Sequence, residues 1–211
     1  MEENKIILIG GGGHAGSLNE FAFSSIAGYL APEASSETDL KWLGTDQLAP
    51  ELIKNGYSFH MAFIYKGLPV MLERKKLIDY FKSIGASFSS LISPSAIITK
   101  SSSVGEGSAI MQGVIVNKAE IGYNAVINSG AIIEHNTRIG DNSFIGPGAV
   151  VGGFVNIGSD CFIGLGCNIK NGVTIASGVS VAMGANINND LLEPGIYHGS
   201  PLRLHKIKYP G

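Results

Sequence analysis

The chain has 211 residues, 45% of them apolar and 15% charged, with a formal net charge of −2. That length allows one large domain or two small ones with buried cores, and the balanced charge lacks the clustered Lys and Arg that nucleic acid demands. No apolar run reaches the roughly 20 residues of a membrane span. The acidic start, Met1 to Lys5, does not read as a signal peptide. With only Cys161 and Cys167, a disulfide framework is not expected, and the expectation is a soluble, cytoplasmic protein.

Residues 5–10 read as a buried strand, and Gly11 to Gly16 then satisfy G-x-G-x-x-G, with a helix expected over about 17–27. In that context glycines let backbone N–H groups approach a phosphate at a helix N-terminus, although a ligand-free strand-to-helix turn looks the same. Glu33 and Glu37 fall in a polar stretch that reads as loop. Residues 58–64 suggest a second strand, 74–83 a helix and 86–92 a further short strand. Residues 1–93 therefore read as a small Rossmann-like α/β nucleotide-binding half domain. It is too short for a complete dinucleotide domain and has no clear acidic residue for a ribose after a second strand, so NAD is disfavoured.

The 29 glycines, about twice the usual share of roughly 7%, concentrate further on. Stepping by six from Ile115 lands on Ile or Val at every position to Ile187: 121, 127, 133, 139, 145, 151, 157, 163, 169, 175 and 181. The next residue is often Gly (122, 140, 146, 152, 158, 164), and four residues after each aliphatic sits a small or β-branched side chain. A period of six fits neither an amphipathic helix nor a hairpin strand. It fits a left-handed parallel β-helix of hexapeptide repeats, three flat faces and eighteen residues to a coil. The aliphatics point inward, the small residues fill the slots near the corners, and Gly and Asn take corner conformations. Cys161 and Cys167 fall in the small inward slot and read as core. Ile98, Val104, Ile110 and Val116 keep step one residue out of phase, so a five-residue step is expected between Val116 and Ile121. The expected bounds are 94–192 for the β-helix and 193–211 for an exit segment, with Glu193-Pro194-Gly195 turning the chain away from the prism.

His135 is the only histidine inside the repeat, two residues after Ile133 and so near a coil's outer surface. Imidazole titrates near neutral pH and can act there as a general base; a solvated surface histidine would look alike.

From Ile9-Gly10-Gly11-Gly12-Gly13-His14, through Leu91 to Ala96, Ile127-Asn128, His135 and Ile139-Gly140-Asp141, to Gly199-Ser200-Pro201-Leu202, the chain resembles a family of bacterial hexapeptide-repeat sugar acyltransferases. This group holds the bacillosamine-type UDP-4-amino-sugar N-acetyltransferases and the sialic-acid O-acetyltransferases. The resemblance implies a homotrimer with active sites in grooves between neighbouring β-helices and acetyl-CoA as co-substrate, with no metal. The nucleotide would lie at Gly10, Gly12, Gly13 and His14. His135 matches the catalytic base and Asn128 a position beside the acceptor amine. Gly153, Leu165 and Met183 match acetyl-CoA contacts, as does Phe144, where some relatives carry a second histidine. The residue after the base is usually acidic and is Asn136 here, so either Glu134 substitutes or the base is weaker. Many relatives also carry Asp-Asp near the second strand, where this chain has Tyr29 to Pro32.

The expected reaction is N-acetylation of the 4-amino group of a nucleotide-linked 4-amino-4,6-dideoxy sugar by direct transfer. The alternatives are O-acetylation of a sialic acid, or a non-catalytic scaffold that senses a sugar nucleotide. A zinc γ-type carbonic anhydrase needs three converging histidines, and His14, His60, His198 and His205 all lie outside the repeat. UDP, dTDP and GDP are not distinguished.

Overall fold

The structure, a computed structural model, describes residues 5–64, 70–199 and 202–205. The chain divides into two compact units, Met1–Leu91 and Ile92–Gly211. Among the described residues no helix is long and apolar enough to cross a membrane.

The first unit is built on a parallel four-stranded sheet in the order β3-β2-β1-β4: β1 (Ile6–Ile9), β2 (Ile26–Leu30), β3 (Trp42–Gly44) and β4 (Ser58–Met61). Helix α1 (Gly13–Ala22) joins β1 to β2, the short α2 (Ala49–Lys54) leads into β4, and α3 (Val70–Ser83) follows. β1 is buried along its whole length, as a central parallel strand requires. Ile7, Ile9, Leu30, Phe59 and Phe81 form the core.

Several expectations shift here. Helix α1 begins at Gly13 rather than near residue 17 and stops at Ala22. The glycine turn is tighter than its length suggests, and the β-branched Ile26 and the residues after it go to β2. That strand, β3 and α2 are not legible in the polar, glycine-interrupted text between residues 23 and 57. Residues 86–92 are not one strand: Phe88 makes a lone bridge to Phe59, and Leu91–Ile92 joins a sheet of the repeat.

From there the chain winds as a prism. Face one carries Leu91–Ile92, Ala109–Ile110, Val126–Ile127, Phe144–Ile145, Phe162–Ile163 and Val179–Val181. Face two carries Ile97–Ile98, Ile115–Val116, Ile132–Ile133, Val150–Val151, Asn168–Ile169 and Asn186–Ile187. Face three carries Ser103–Val104, Glu120–Ile121, Arg138–Ile139, Asn156–Ile157 and Thr174–Ile175. Each strand pairs in parallel with its equivalent one coil on, as Ile133 does with Val151 and Val151 in turn with Ile169. The inward aliphatics from Ile110 to Ile187 are buried, each contributing about 1.5–3 kcal/mol, while Ile98 and Val104 of the first coil are half-buried. The small-slot hydroxyls bond across coils: Thr137 Oγ1 donates to the Gly152 carbonyl at 2.7 Å and Ser143 Oγ to that of Gly158 at 2.9 Å.

The five-residue step is present, because Ile121 pairs with Val104 and Ile133 with Val116. Ile115 therefore belongs outside the inward series: it stands next to the buried Val116 and faces out. The glycines after the aliphatics also have another cause than corner freedom. A Cβ on Gly140 would lie 2.5 Å from the Gly158 carbonyl carbon, and one on Gly164 2.5 Å from the Met183 nitrogen. They are required by the close approach of successive coils. The left-handed conformations fall two residues later, at Gly148, Gly166 and Gly184 among others.

The chain does not leave the prism at residues 193–195. Gly195–His198 pairs with Val179–Val181, and Arg203–His205 folds back antiparallel on it. The last coil's open strand edge is thereby covered. Of the exit motif, Ser200 and Pro201 lie outside the described residues.

Candidate active site

His135 sits at the corner between faces two and three, and three neighbours define its ring. Asn136 holds φ +61°, a left-handed turn that asparagine tolerates well, and its Oδ1 lies 3.3 Å from His135 Nδ1. One coil on, Gly153 leaves room for the imidazole: a Cβ there would lie 2.8 Å from His135 Cε1 and 2.9 Å from Nε2. Beside it the Phe154 ring meets the imidazole edge to face, centroids 5.2 Å apart and planes at 89°. Backbone bonds lock the coils together, Phe154 N–H donating to the His135 carbonyl at 2.9 Å and Gly172 N–H to that of Gly153 at 2.9 Å.

Glu134 does not reach the imidazole ring in this arrangement. Its Oε2 accepts from Asn117 Nδ2 at 3.0 Å and from the His135 backbone N–H at 3.2 Å. Asn136 is thus the side chain at Nδ1, and Glu134 fixes the backbone on which the histidine stands.

The other expected residues are not gathered on this corner. Asn128, Leu165 and Met183 lie at the corner between faces one and two, with Leu165 and Met183 stacked one coil apart through the bond from Gly184 N–H to the Leu165 carbonyl. Both side chains are exposed, Met183 to 71%. Asn128 Oδ1 accepts from Ser129 N–H at 2.7 Å. Phe144 is at neither corner; it lies on the outer side of face one, buried and stacked on Phe162 with centroids 4.8 Å apart. The two corners are opposite edges of face two, whose outward residues Ile97, Ile115, Ile132 and Val150 form an apolar column, with Ile97 61% exposed. A groove of about 570 Å³ over face three lacks His135, and its charged groups, Glu120 and Arg138, pair at 3.0 Å.

Phe154 is a residue that the repeat pattern hides. It holds φ +59°, while the other non-glycine residues with positive φ among those described are Lys118, Asn124, Asn136, Asn142 and Asp160. For a bulky side chain that conformation costs about 1–2 kcal/mol. The visible signal in the sequence is an aromatic residue at a corner position that elsewhere takes Asn, Gly, Asp or Lys.

In the first unit the glycine run has divided duties. Gly10, at φ +105°, lets β1 pass close to the end of β4, since a Cβ would meet the Phe63 nitrogen at 3.1 Å. The Tyr29 ring fills the space a Gly11 side chain would need. Tyr29 Oη then accepts from Ser35 N–H at 2.7 Å, Ser35 Oγ accepts from Glu37 N–H at 3.1 Å, and Glu37 Oε2 accepts from Gly13 N–H at 2.7 Å. The first amide of α1 is therefore occupied by a carboxylate that the sequence placed in a loop. Gly12 and Gly13 are otherwise open. His14 is sealed at Nε2, which has no hydrogen-bond partner, and its pKa is lowered to about 3 by burial, then by His60 and Arg74. His60 is fully buried, with Nδ1 on the Ser89 carbonyl at 2.9 Å and its pKa lowered to about 4, chiefly by burial. Arg74 is buried too, its guanidinium donating to the carbonyls of Phe63 and Met61. His14 is thus a half-buried imidazole with its Nε2 sealed, held neutral by its surroundings.

The cysteines are core residues. Burial raises the Cys161 thiol to about 11 and raises that of Cys167 as well; their sulfurs lie 3.1 and 3.2 Å from carbonyls of the next coil. Among the described residues no group of three or more His, Cys, Asp or Glu is placed to hold a metal ion.

A left-handed prism of hexapeptide coils with a histidine set on its corner defines the hexapeptide-repeat acyltransferases. The bacterial transferase hexapeptide (six repeats) family matches residues 118–153. A His-to-Asn variant of perosamine N-acetyltransferase from Caulobacter crescentus, solved with CoA and GDP-perosamine, is 30% identical over 96% of this chain and 97% of its own, with a TM-score of 0.87. The acetyltransferase domain of PglB from Neisseria gonorrhoeae, in complex with acetyl coenzyme A, is 23% identical over 96% and 100% with a TM-score of 0.86. WeeI from Acinetobacter baumannii is 20% identical over 95% and 99% with a TM-score of 0.79; these last two show the fold. No curated protein sequence matches the chain. The chain belongs to the acetyl-CoA-dependent hexapeptide-repeat sugar N-acetyltransferases, in the group of the bacillosamine-type N-acetyltransferases and sialic-acid O-acetyltransferases.

Proposed function

We propose that this enzyme transfers acetyl from acetyl-CoA directly to the 4-amino group of a nucleotide-linked 4-amino-4,6-dideoxy sugar, with His135 as general base. The observation that carries the reading is the His135 corner. With a proton on Nδ1 shared with Asn136 Oδ1, 3.3 Å away, Nε2 is left as the acceptor. The Cε1–Nε2 edge rests on Gly153, whose missing side chain gives the ring its place. The amine nitrogen attacks the thioester carbonyl and passes its proton to Nε2. The tetrahedral intermediate then collapses, the C–S bond breaks, and the departing thiolate takes a proton to give CoA. Asn136 orients the ring without adding charge, so the imidazolium that forms is less stabilised than beside a carboxylate. Neither cysteine suits covalent catalysis, since burial keeps both thiols protonated. The likeness to an enzyme solved with GDP-perosamine supports a GDP-linked acceptor, and the glycine turn at the start of α1 suits a phosphate-bearing one that displaces Glu37 from the Gly13 amide.

The site also favours a homotrimer. Face two bears its apolar column of Ile97, Ile115, Ile132 and Val150 between the His135 corner and the Leu165–Met183 corner. A head-to-tail ring closing on face two brings the first corner of one protomer to the second corner of the next, with acetyl-CoA between.

The test is thiol release from acetyl-CoA with a panel of UDP-, dTDP- and GDP-linked 4-amino sugars and free sialic acid. We expect release with a nucleotide-linked amine, falling about 10²- to 10⁴-fold in His135→Ala. Release with sialic acid alone overturns the substrate; near wild-type turnover by His135→Ala overturns the mechanism.

A further inference from the structure

Phe154 stands out as a residue kept against its own conformational preference. Its column along the prism corner runs Lys118, Asn136, Phe154 and Gly172, all with positive φ. An Asn or Gly satisfies that backbone without strain, yet a phenylalanine occupies the coil directly beyond Asn136. Within its own protomer the ring is 62% exposed, so the prism itself does not require it. The contact it does make is with the His135 imidazole, edge to face at 5.2 Å. A strained aromatic that meets the candidate base edge to face is unexplained by the fold of the protomer alone.

We propose that Phe154 is a positioning residue for acetyl transfer: it walls one side of the His135 imidazole and holds the ring in the orientation that presents Nε2 to the acceptor. This rests on His135 being the base. The ring has few other restraints. Its Nδ1 contact to Asn136 is long at 3.3 Å, and on the Gly153 side its Cε1–Nε2 edge rests against a residue without a side chain. Without Phe154 the imidazole can swing about its side-chain torsions into the space that the phenyl ring held. A perpendicular aromatic contact restricts the swing and excludes water from that side of the base. Phe154 thus compensates for the absent carboxylate beside the histidine: steric confinement takes over the orienting duty that a charged partner performs.

Phe154→Asn separates this role from a structural one, because asparagine suits the left-handed backbone. We expect kcat to fall about tenfold, with KM for acetyl-CoA within twofold of wild type and no loss of Tm. Phe154→Tyr, which keeps the ring, restores kcat. In a His135→Ala background, Phe154→Asn has no further effect, since the two act as one unit. Unchanged kcat in Phe154→Asn overturns the proposal. So does a rise in KM alone, which marks a cofactor contact, or a matching drop in Tm, which marks a packing role. If His135→Ala itself keeps wild-type turnover, the assignment of the base has failed; if it is dead and Phe154→Asn is fully active, only the positioning role has.

Discussion

Replacing Gly153 by alanine separates the proposed catalytic corner from the fold that carries it. The backbone of Gly153 lies outside the left-handed region, so alanine meets no torsional strain there. Its Cβ would stand 2.8 Å from His135 Cε1 and 2.9 Å from Nε2, against the 3.5–4.0 Å at which carbon atoms rest. The imidazole must therefore move by roughly 0.6–1 Å. It is an exposed side chain with torsional freedom, so the movement costs the fold little. Gly→Ala at a compatible backbone stabilises by about 0.4–1 kcal/mol through the unfolded chain, which offsets the residual contact with the His135 carbonyl at 3.2 Å. Catalysis is less forgiving: displacement of a reacting group by about 1 Å costs about 10²-fold, or ~2.7 kcal/mol of transition-state stabilisation. We expect Gly153→Ala to lose about two decades of kcat in a thiol-release assay while Tm stays within about 2 °C. Gly164→Ala supplies the contrast. There the Cβ meets backbone, the Met183 nitrogen at 2.5 Å, and backbone cannot swing aside. It should cost about 1–3 kcal/mol of stability and lower Tm by several degrees. Retention of kcat within twofold by Gly153→Ala would refute the argument that His135 acts from the position seen.

The buried imidazoles of the first unit make its stability acid-sensitive. Both have folded pKa values below the unfolded 6.5, so the unfolded state binds the extra protons, and stability is lost as pH falls below about 6.5, continuing to about 4 for His60 and about 3 for His14. Each should contribute a slope of about 1.4 kcal/mol per pH unit inside its window. Trp42, the single tryptophan, lies in β3 and reports this unit by fluorescence; a denaturation midpoint flat from pH 6.5 to 5 contradicts the reasoning, and His60→Asn should flatten the slope. Glu37→Gln removes the carboxylate from Gly13 N–H, where it repels an incoming diphosphate; calorimetry should show GDP binding about fivefold tighter, the ~1 kcal/mol of two unit charges 4 Å apart in water. Weaker binding of GDP and guanosine alike shows instead that this carboxylate accepts the ribose hydroxyls.

The prism was legible because a β-helix writes its geometry into the chain at a constant interval. The inward aliphatics from Ile121 to Ile187, the small slots that take Cys161 and Cys167, and the skipped residue between Val116 and Ile121 all follow from eighteen residues closing one coil. His135 stood out because it is the only histidine inside the repeat. What the tertiary structure decided lies across coils or across long loops. No local rule says that Gly153, eighteen residues on, gives the imidazole its space, that Phe154 turns a ring against it, or that Asn136 rather than Glu134 faces Nδ1. The same holds in the first unit, where Glu37 reaches Gly13 over 24 positions and where burial, more than any neighbouring charge, lowers the pKa values of His14 and His60. Periodicity specifies which side chains point inward. Which outward ones meet depends on the stacking of coils and on how loops close, and those distances exist only after the chain has folded.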